Sequence, residues 1–359
     1  MATHSIAVIP GDGIGVDVIA EGLKVLQAIE SVSDLSLAFT EFGWGSNYYL
    51  THREMMPSDA LESLRCFDAI LFGAVGHPEI PDHVTLQGLL LPIRREFDQY
   101  VCHRPNILYP GVTSPLHGKR EGEIDIVVVR ENTEGEYAPI GGSLYTNTSE
   151  EIVIQSNLFT RKGVERIIRY AFDLASQRDR KKMVTSVTKS NAMRHSMVFW
   201  DNIFELVAAD YPDIQTSSLL VDAACMDLVR RPESFDVIVA SNLFGDILSD
   251  IAAVVTGSMG LAPSGNIDPE KRYPSMFEPV HGSAPDIAGK GIANPMATIL
   301  SAAMMLNHLD EPAAANSIEE AVTGLLRDGG LVTPDLGGTA TTAQVGDAIV
   351  KALIGPWDA

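Results

Sequence analysis

Two aspartates, Asp246 and Asp250, stand four residues apart in Asn-Leu-Phe-Gly-Asp-Ile-Leu-Ser-Asp, residues 242 to 250. On a helix this spacing puts both carboxylates on one face, beside an expected apolar arc of Leu243, Phe244, Ile247 and Ile251. Like charges so placed repel by roughly a few tenths of a kcal/mol unless a cation lies between them. Oxygen-only ligands suit Mg2+ or Mn2+; the alternative is a helix start whose dipole welcomes acids. Asp222 closes the run TSSLLVD, 216 to 222, as a third metal carboxylate or as a helix cap. Arg94 lies on an expected helix, Arg104 precedes Pro105, and Arg130 ends the strand-like IDIVVVR. Converging, these three forks would clamp a small di- or tricarboxylate; the alternative is ordinary ion pairing, and for Arg95 a pair with Glu96, Asp98 or Glu131 is expected. Lys189 follows the β-rich MVTSV, where a lysine is either a base with a lowered pKa or a solvated turn residue. Tyr137 either donates a proton or packs at the root of an arm.

Two glycine-rich segments add a cofactor side. Pro-Gly-Asp-Gly-Ile-Gly, 10 to 15, lies between strand and helix but is spaced G-x-G-x-G, which departs from the G-x-G-x-x-G dinucleotide fingerprint. It reads equally as a cleft-lining turn and as a purely structural one. Residues 278 to 295, EPVHGSAPDIAGKGIANP, read as a long surface loop, a class that is usually functional. An acid such as Asp286 suits ribose hydroxyls and repels a 2′-phosphate, favouring NAD over NADP.

The elements that must position these groups alternate. Strand-like runs at 5–10, 67–73, 124–129, 216–221 and 235–240 are separated by helical periodicities from Val18, near 160–177 and near 193–209. This predicts an α/β protein with substantial parallel sheet. Residues 133–157 break the rhythm with Gly, Ser, Thr and Asn and read as a β-hairpin arm, too poor in apolar residues to stand without a neighbour, a second subunit being the economical one. The 359 residues, with 45% hydrophobic and 20% charged, fit about two globular domains. A net charge of −21 argues against nucleic acid or anionic lipid as partners. Three widely spaced cysteines, no basic-apolar leader and no long uninterrupted apolar run are what a cytoplasmic protein without a membrane span is expected to show.

Together PGDGIG, RENTEGEY (130–137), TKSN (188–191), SNLFGDILSD (241–250) and EPVHGSAPDIAGKGIANP resemble the β-decarboxylating dehydrogenases, which include the isopropylmalate, isocitrate, D-malate and tartrate enzymes. The resemblance covers nearly the whole chain. It implies an isopropylmalate dehydrogenase-like two-domain fold with a mixed, largely parallel central sheet, not a Rossmann fold. Residues 1–103 and 256–359 would form the first domain, and 104–255 the dimerising domain with its arm. It further implies a homodimer with shared active sites, in which Lys189, Asn191 and Asp222 enter the neighbour's cleft opposite Asp246 and Asp250. By resemblance the metal, Mg2+ or Mn2+, is held by Asp222, Asp246 and Asp250. Lys189 is then the base, Tyr137 the proton donor, and Arg94, Arg104 and Arg130 the carboxylate grip. His281, Gly282, Ser283, Ala284, Asp286, Ile287 and Asn294 would line the adenosine half of NAD, with Glu278 and Ile14 nearer the nicotinamide. A monovalent cation such as K+ is left open.

Specificity in such enzymes is set on the helix before Arg94. Here Gln87 replaces a glutamate of the isopropylmalate enzymes, whereas Leu90 and Leu91 are kept. RREFDQY (94–100) and PDHVTL (81–86) look more like the tartrate and D-malate enzymes, although Gln87, Leu89 and Cys102-His103 depart from those as well. The expected reaction is oxidative decarboxylation of a small 2-hydroxy dicarboxylate, D-malate or tartrate before 3-isopropylmalate. A ligand-binding regulatory subunit is the non-catalytic alternative.

Overall fold

A computed structural model describes residues 2–355. The strands are β1 (Ala2–Gly11), β2 (Leu35–Glu41), β3 (Ala69–Ala74), β4 (Val101–Ile107), β5 (Asp125–Glu131), β6 (Gly141–Leu144), β7 (Ile152–Gln155), β8 (Met183–Thr188), β9 (Gln215–Leu220), β10 (Val237–Ala240), β11 (Pro263–Ile267) and β12 (Ser275–Pro279). Between them run α1 (Ile14–Val32), α2 (Ser46–His52), α3 (Ala60–Leu64), α4 (Asp82–Thr85), α5 (Leu91–Glu96), α6 (Arg161–Arg178), α7 (Ser196–Ala208), α8 (Val221–Arg230), α9 (Asn242–Val255), α10 (Met296–His308), α11 (Pro312–Asp328) and α12 (Thr342–Ile354).

Ten strands make one sheet in the order β2, β1, β3, β12, β11, β4, β5, β10, β8, β9. Its two flanks are parallel, and the turnover lies in the middle, where β11 runs antiparallel to both β12 and β4, and β4 to β5. This is the mixed, largely parallel α/β sheet expected. The parallel strands β3, β5 and β10 are buried along their whole length, as strands covered by helices on both faces must be. The middle strands escape the pattern reading, since β4 (VCHRPNI) and β11 (PSGNI) are polar and carry proline. Pro105 is tolerated because β11 pairs only with Val101 to His103, so no neighbour on that side asks for its missing N–H.

The two chain ends meet, with α1 packed on α12 and α10 on α11, while α6 lies against β5 and β10 and α7 against α6. Of the arc that the periodicity of α1 predicts, Val18, Ile19, Leu26 and Ile29 are buried and Leu23 is half-buried, while Val25 is buried as well. Residues 141–155 do form a hairpin, β6 pairing antiparallel with β7, exposed along both strands. Among the described residues no helix is long and apolar enough to cross a membrane.

His103 on β4 gives this sheet an acid-sensitive point. Its Nδ1 lies 3.1 Å from the Tyr170 hydroxyl, and burial, helped by the Arg178 guanidinium, pushes the imidazole down to about 4. An unfolded histidine titrates near 6.5, so the unfolded chain binds the extra proton first. The stabilisation is complete above about pH 6.5 and is lost as pH falls through about 4, at a cost of order 1–3 kcal/mol. A His103→Gln protein, which keeps a partner for Tyr170, should show a smaller drop in melting temperature between pH 7.5 and pH 5 than the parent. An equal drop in both would show that the ring does not resist protonation.

Candidate active site

The C-terminal ends of β3, β5 and β12, the middle of β4, the N-terminal half of α9 and the helical run before Arg94 enclose a cavity of about 440 Å3. Its lining includes Arg94, Arg104, Arg130, Tyr137, Asp246, Glu278, Gln87 and Leu90, so the three arginines do converge. All three are buried. Arg130 donates from Nε and Nη2 to Asn242 Oδ1 at 3.0 and 2.7 Å, and from Nη1 to Asp246, while its guanidinium lies 5.3 Å from the centre of the Tyr137 ring. Arg104 donates from Nη1 to Ser249 Oγ at 2.7 Å and to Asp246 at 3.2 Å. Arg94 donates from Nη2 to Glu278 at 2.6 Å, yet its buried Nε has no acceptor. A buried donor without a partner among the described residues costs about 1–3 kcal/mol. Close approach of α9 to β5 depends on Gly245: a side-chain carbon there would sit 2.5 Å from Arg130 Cβ.

Asp246 lies beyond the first turn of α9, so the helix dipole does not explain it; charge and hydrogen bonding do. Burial alone would raise its carboxyl, but Arg130, Arg104 and the Tyr137 hydroxyl at 2.8 Å outweigh it and hold the group down to about 2. Burial and the Asp246 carboxylate in turn push the Tyr137 phenol up to about 12, so it keeps its proton at neutral pH. Asp250 is shifted up by burial and by Asp246, with Arg104, 3.9 Å away, opposing. The expected apolar arc is corrected: α9 buries Asn242, Phe244, Gly245, Leu248, Ser249 and Ala252, whereas Ile247 is exposed.

Lys189, Asn191 and Asp222 do not line this cavity. Lys189 Nζ meets Asp222 Oδ1 at 2.6 Å, and this contact lowers the Asp222 carboxyl. β9 stops at Leu220, which takes the N-cap position, so Asp222 sits in the first turn of α8 and neither at a strand end nor at the cap. Among the described residues no three His, Cys, Asp or Glu side chains gather as a metal site. Asp246 in the cavity wall and Asp250 one helical turn further on, outside that lining, are two hard carboxylates that fit a divalent cation whose remaining ligands come from elsewhere. Arg95 is a second correction: it has no ion pair, its Nε donating to the Leu91 carbonyl at 3.2 Å, while Glu96 goes to Arg65.

On the cofactor side, the 10–15 turn is tied to the 278–295 segment, Ile14 N donating to Ser283 O at 2.8 Å. Gly13 has φ 57°, and any side chain there would collide with the Ser283 carbonyl. Asp12 explains the rest of the turn structurally, since its carboxylate accepts from Ser46 N, Ser46 Oγ and Gly76 N. The segment itself is less of a loop than expected: Glu278 lies in β12, buried, accepting from Arg94 and from Asn266 Nδ2 at 2.7 Å. His281 and Gly282 reach the cavity wall, and the His281 Nε2 is buried with no partner. Ala284 and Ile287 pack with Ile14 and Ala293, Asn294 donates to Asp335 at 3.0 Å, and Asp286 is exposed.

Residues 5–349 match the isocitrate/isopropylmalate dehydrogenase family. The chain belongs to that family. Among curated relatives, a D-malate dehydrogenase (decarboxylating) of Escherichia coli K12 is 54% identical over 99% of both chains. A tartrate dehydrogenase/decarboxylase of Pseudomonas putida is 53% identical over 98% of this chain and 99% of its own. Among solved structures, an isocitrate dehydrogenase from Methylococcus capsulatus superposes with a TM-score of 0.88 at 38% identity, covering 98% of this chain and 99% of its own.

Within this family frame the geometry adds residues that the sequence reading misses. Asn242 and Ser249 anchor Arg130 and Arg104, and both stand in the same SNLFGDILSD run, one helical turn before Asp246 and before neighbouring Asp250. Glu136 accepts from Ser241 Oγ at 2.8 Å and Leu243 N at 3.1 Å, capping α9 in place of a local side chain. His83 and Gln155 also line the cavity, and nothing local in their sequence marks them.

Proposed function

We propose that this chain is an NAD- and divalent-metal-dependent dehydrogenase that oxidises and decarboxylates a small 2-hydroxy dicarboxylate, D-malate or tartrate. The convergence of three buried arginines on one cavity carries the reading, because guanidinium forks so gathered suit the carboxylates of a small anionic ligand. The names of the D-malate and tartrate relatives support the choice of substrate.

On this reading Arg94, Arg104 and Arg130 hold and orient the carboxylates, with Gln87 and Leu90 bounding the rest of the substrate. Asp246 and Asp250, with Asp222 from a second copy, would hold Mg2+ or Mn2+, which when bound acidifies a hydroxyl and stabilises negative charge on oxygen. Lys189 of that second copy takes the hydroxyl proton, and Tyr137, protonated at neutral pH, donates one to carbon after CO2 departs. Ile14, Glu278, His281, Gly282, Ser283, Ala284, Asp286, Ile287 and Asn294, with Asn191 from the second copy, would hold NAD, which accepts hydride. The unpaired His281 Nε2 is the observation that fits a ligand there.

A homodimer completes the site. Its surface is the exposed apolar set Leu144, Ile152 and Ile154 on the arm with Met226, Val229, Ile247 and Val254 on the paired helices α8 and α9. We take the domain division at about residues 103 and 255, where β4 and α9 leave the flank built by both chain ends, and place the enzyme in the cytoplasm. The regulatory-subunit reading loses support because Tyr137, Lys189, Asp222, Asp246 and Asp250 are all retained.

The test is NADH formation with Mn2+ on D-malate, L- and meso-tartrate and 3-isopropylmalate. We expect kcat/KM on D-malate or a tartrate to exceed that on isopropylmalate by about tenfold or more, and EDTA to abolish turnover. Isopropylmalate preference would overturn the substrate choice; no metal-dependent NADH from any of them would overturn the reaction.

A further inference from the structure

The cavity has a charged half, described above, and a second half without formal charge. There the helical run Asp82–Glu96, widened by a π turn over Leu86–Leu90, presents His83, Gln87 and Leu90. Gln155, the last residue of the arm strand β7, faces the same space from the other side. Gln155 Nε2 donates one hydrogen to the Ala138 carbonyl at 3.0 Å, which ties the arm to the segment carrying Tyr137. Its second amide hydrogen and its Oε1 have no partner among the described residues.

An alkyl group is best met by aliphatic carbon at the atoms it touches. Here an apolar floor of Leu86, Leu90 and Leu91 is rimmed by an imidazole and two amides. An alkyl substituent would strip water from those amides and leave them unpaired, whereas a hydroxyl gives and accepts one hydrogen bond, which an amide can match at both ends. Discrimination by a hydrogen-bonding wall is also steeper than discrimination by one methylene of apolar fit.

We infer that Gln155, reaching the cavity from the arm, is a specificity-determining residue that hydrogen-bonds a hydroxyl on the substrate carbon next to the one oxidised, with His83 and Gln87 completing that polar rim. The inference rests on the proposed dehydrogenase reading and narrows its substrate class to 2,3-dihydroxy dicarboxylates, with the 3-deoxy compound tolerated through a bridging water and a 3-alkyl compound rejected.

The experiment compares the parent with Gln155→Leu and Gln155→Glu on L-tartrate, meso-tartrate, D-malate and 3-isopropylmalate, with KM for NAD and melting temperature as controls. For Gln155→Leu, kcat/KM on the better tartrate should fall about tenfold or more, that on D-malate should stay within about threefold, and that on isopropylmalate should rise. Gln155→Glu, which keeps an acceptor, should retain more tartrate activity than the leucine variant. An equal fall on all substrates would overturn the inference, leaving Gln155 only as the tie to Ala138, and so would no change on any. A parent that turns over none of the four would instead overturn the dehydrogenase reading itself.

Discussion

Lys189→Met and Asp246→Asn proteins, each expected to turn over about a thousandfold more slowly than the parent, should regain about one quarter of parental activity when their subunits are mixed. Lys189 and Asp222 make a tight pair and do not line the arginine cavity, so within one chain the proposed base stands outside the cavity that holds Asp246. In a shared-site dimer, one site of a mixed pair receives Asp246 from the first subunit and Lys189 from the second, and is wholly parental. The other site carries both substitutions and is dead. Random reassortment makes about half the dimers mixed, each with one working site, which yields the quarter. Co-expression of differently tagged subunits, followed by isolation of the doubly tagged dimer, should give about half the parental turnover per dimer. Activity equal to the sum of the two parents' residual rates would show that each chain builds its own complete site.

The legibility of this molecule divides along physical lines. The flanking strands could be read because a buried parallel strand is a continuous run of β-branched residues, as in IDIVVV, and α1 because its apolar period is unbroken. The middle of the sheet was hidden because β4 and β11 owe their conformation to neighbours on both sides, and Pro105 and Gly265 have low strand propensity. The paired carboxylates Asp246 and Asp250 were visible as a candidate site through their spacing, since repulsion at four residues apart calls for a positive charge. What the spacing could not tell is that Arg130 and Arg104 supply part of that charge from other strands. Arg95 shows the converse error. A charged residue beside an acid in sequence looks paired, yet on α5 the neighbouring Glu96 points to Arg65 and Arg95 is left with a backbone carbonyl. Gln155 carried no signal at all, because an arm strand with exposed side chains places no constraint on residue type until the fold brings it to the cleft.

Arg130→Lys should cost kcat/KM about a thousandfold while the protein remains folded, a loss larger than the retained charge would suggest. Arg130 does three things with one planar group. Two nitrogens grip Asn242 Oδ1, a third reaches Asp246, and the face lies over Tyr137. A lysine ammonium keeps the charge and three donors but lacks the planar fork, so it cannot reproduce the two-nitrogen grip on Asn242 together with the contact to Asp246 and the face over Tyr137. Each 1.36 kcal/mol of lost transition-state stabilisation is a decade in rate, so a thousandfold loss corresponds to about 4 kcal/mol. The loss should fall on both kcat and KM, since the same fork contacts Asp246 and, on the proposed reading, would face the substrate carboxylate. Arg104 still stands 3.2 Å from Asp246, so the Asp246 carboxyl should remain ionised at neutral pH and Mn2+ binding, measured by titration calorimetry, should weaken less than catalysis. A lysine variant within threefold of the parent would show that charge alone, and not the geometry of the guanidinium fork, is what the cavity requires at this position.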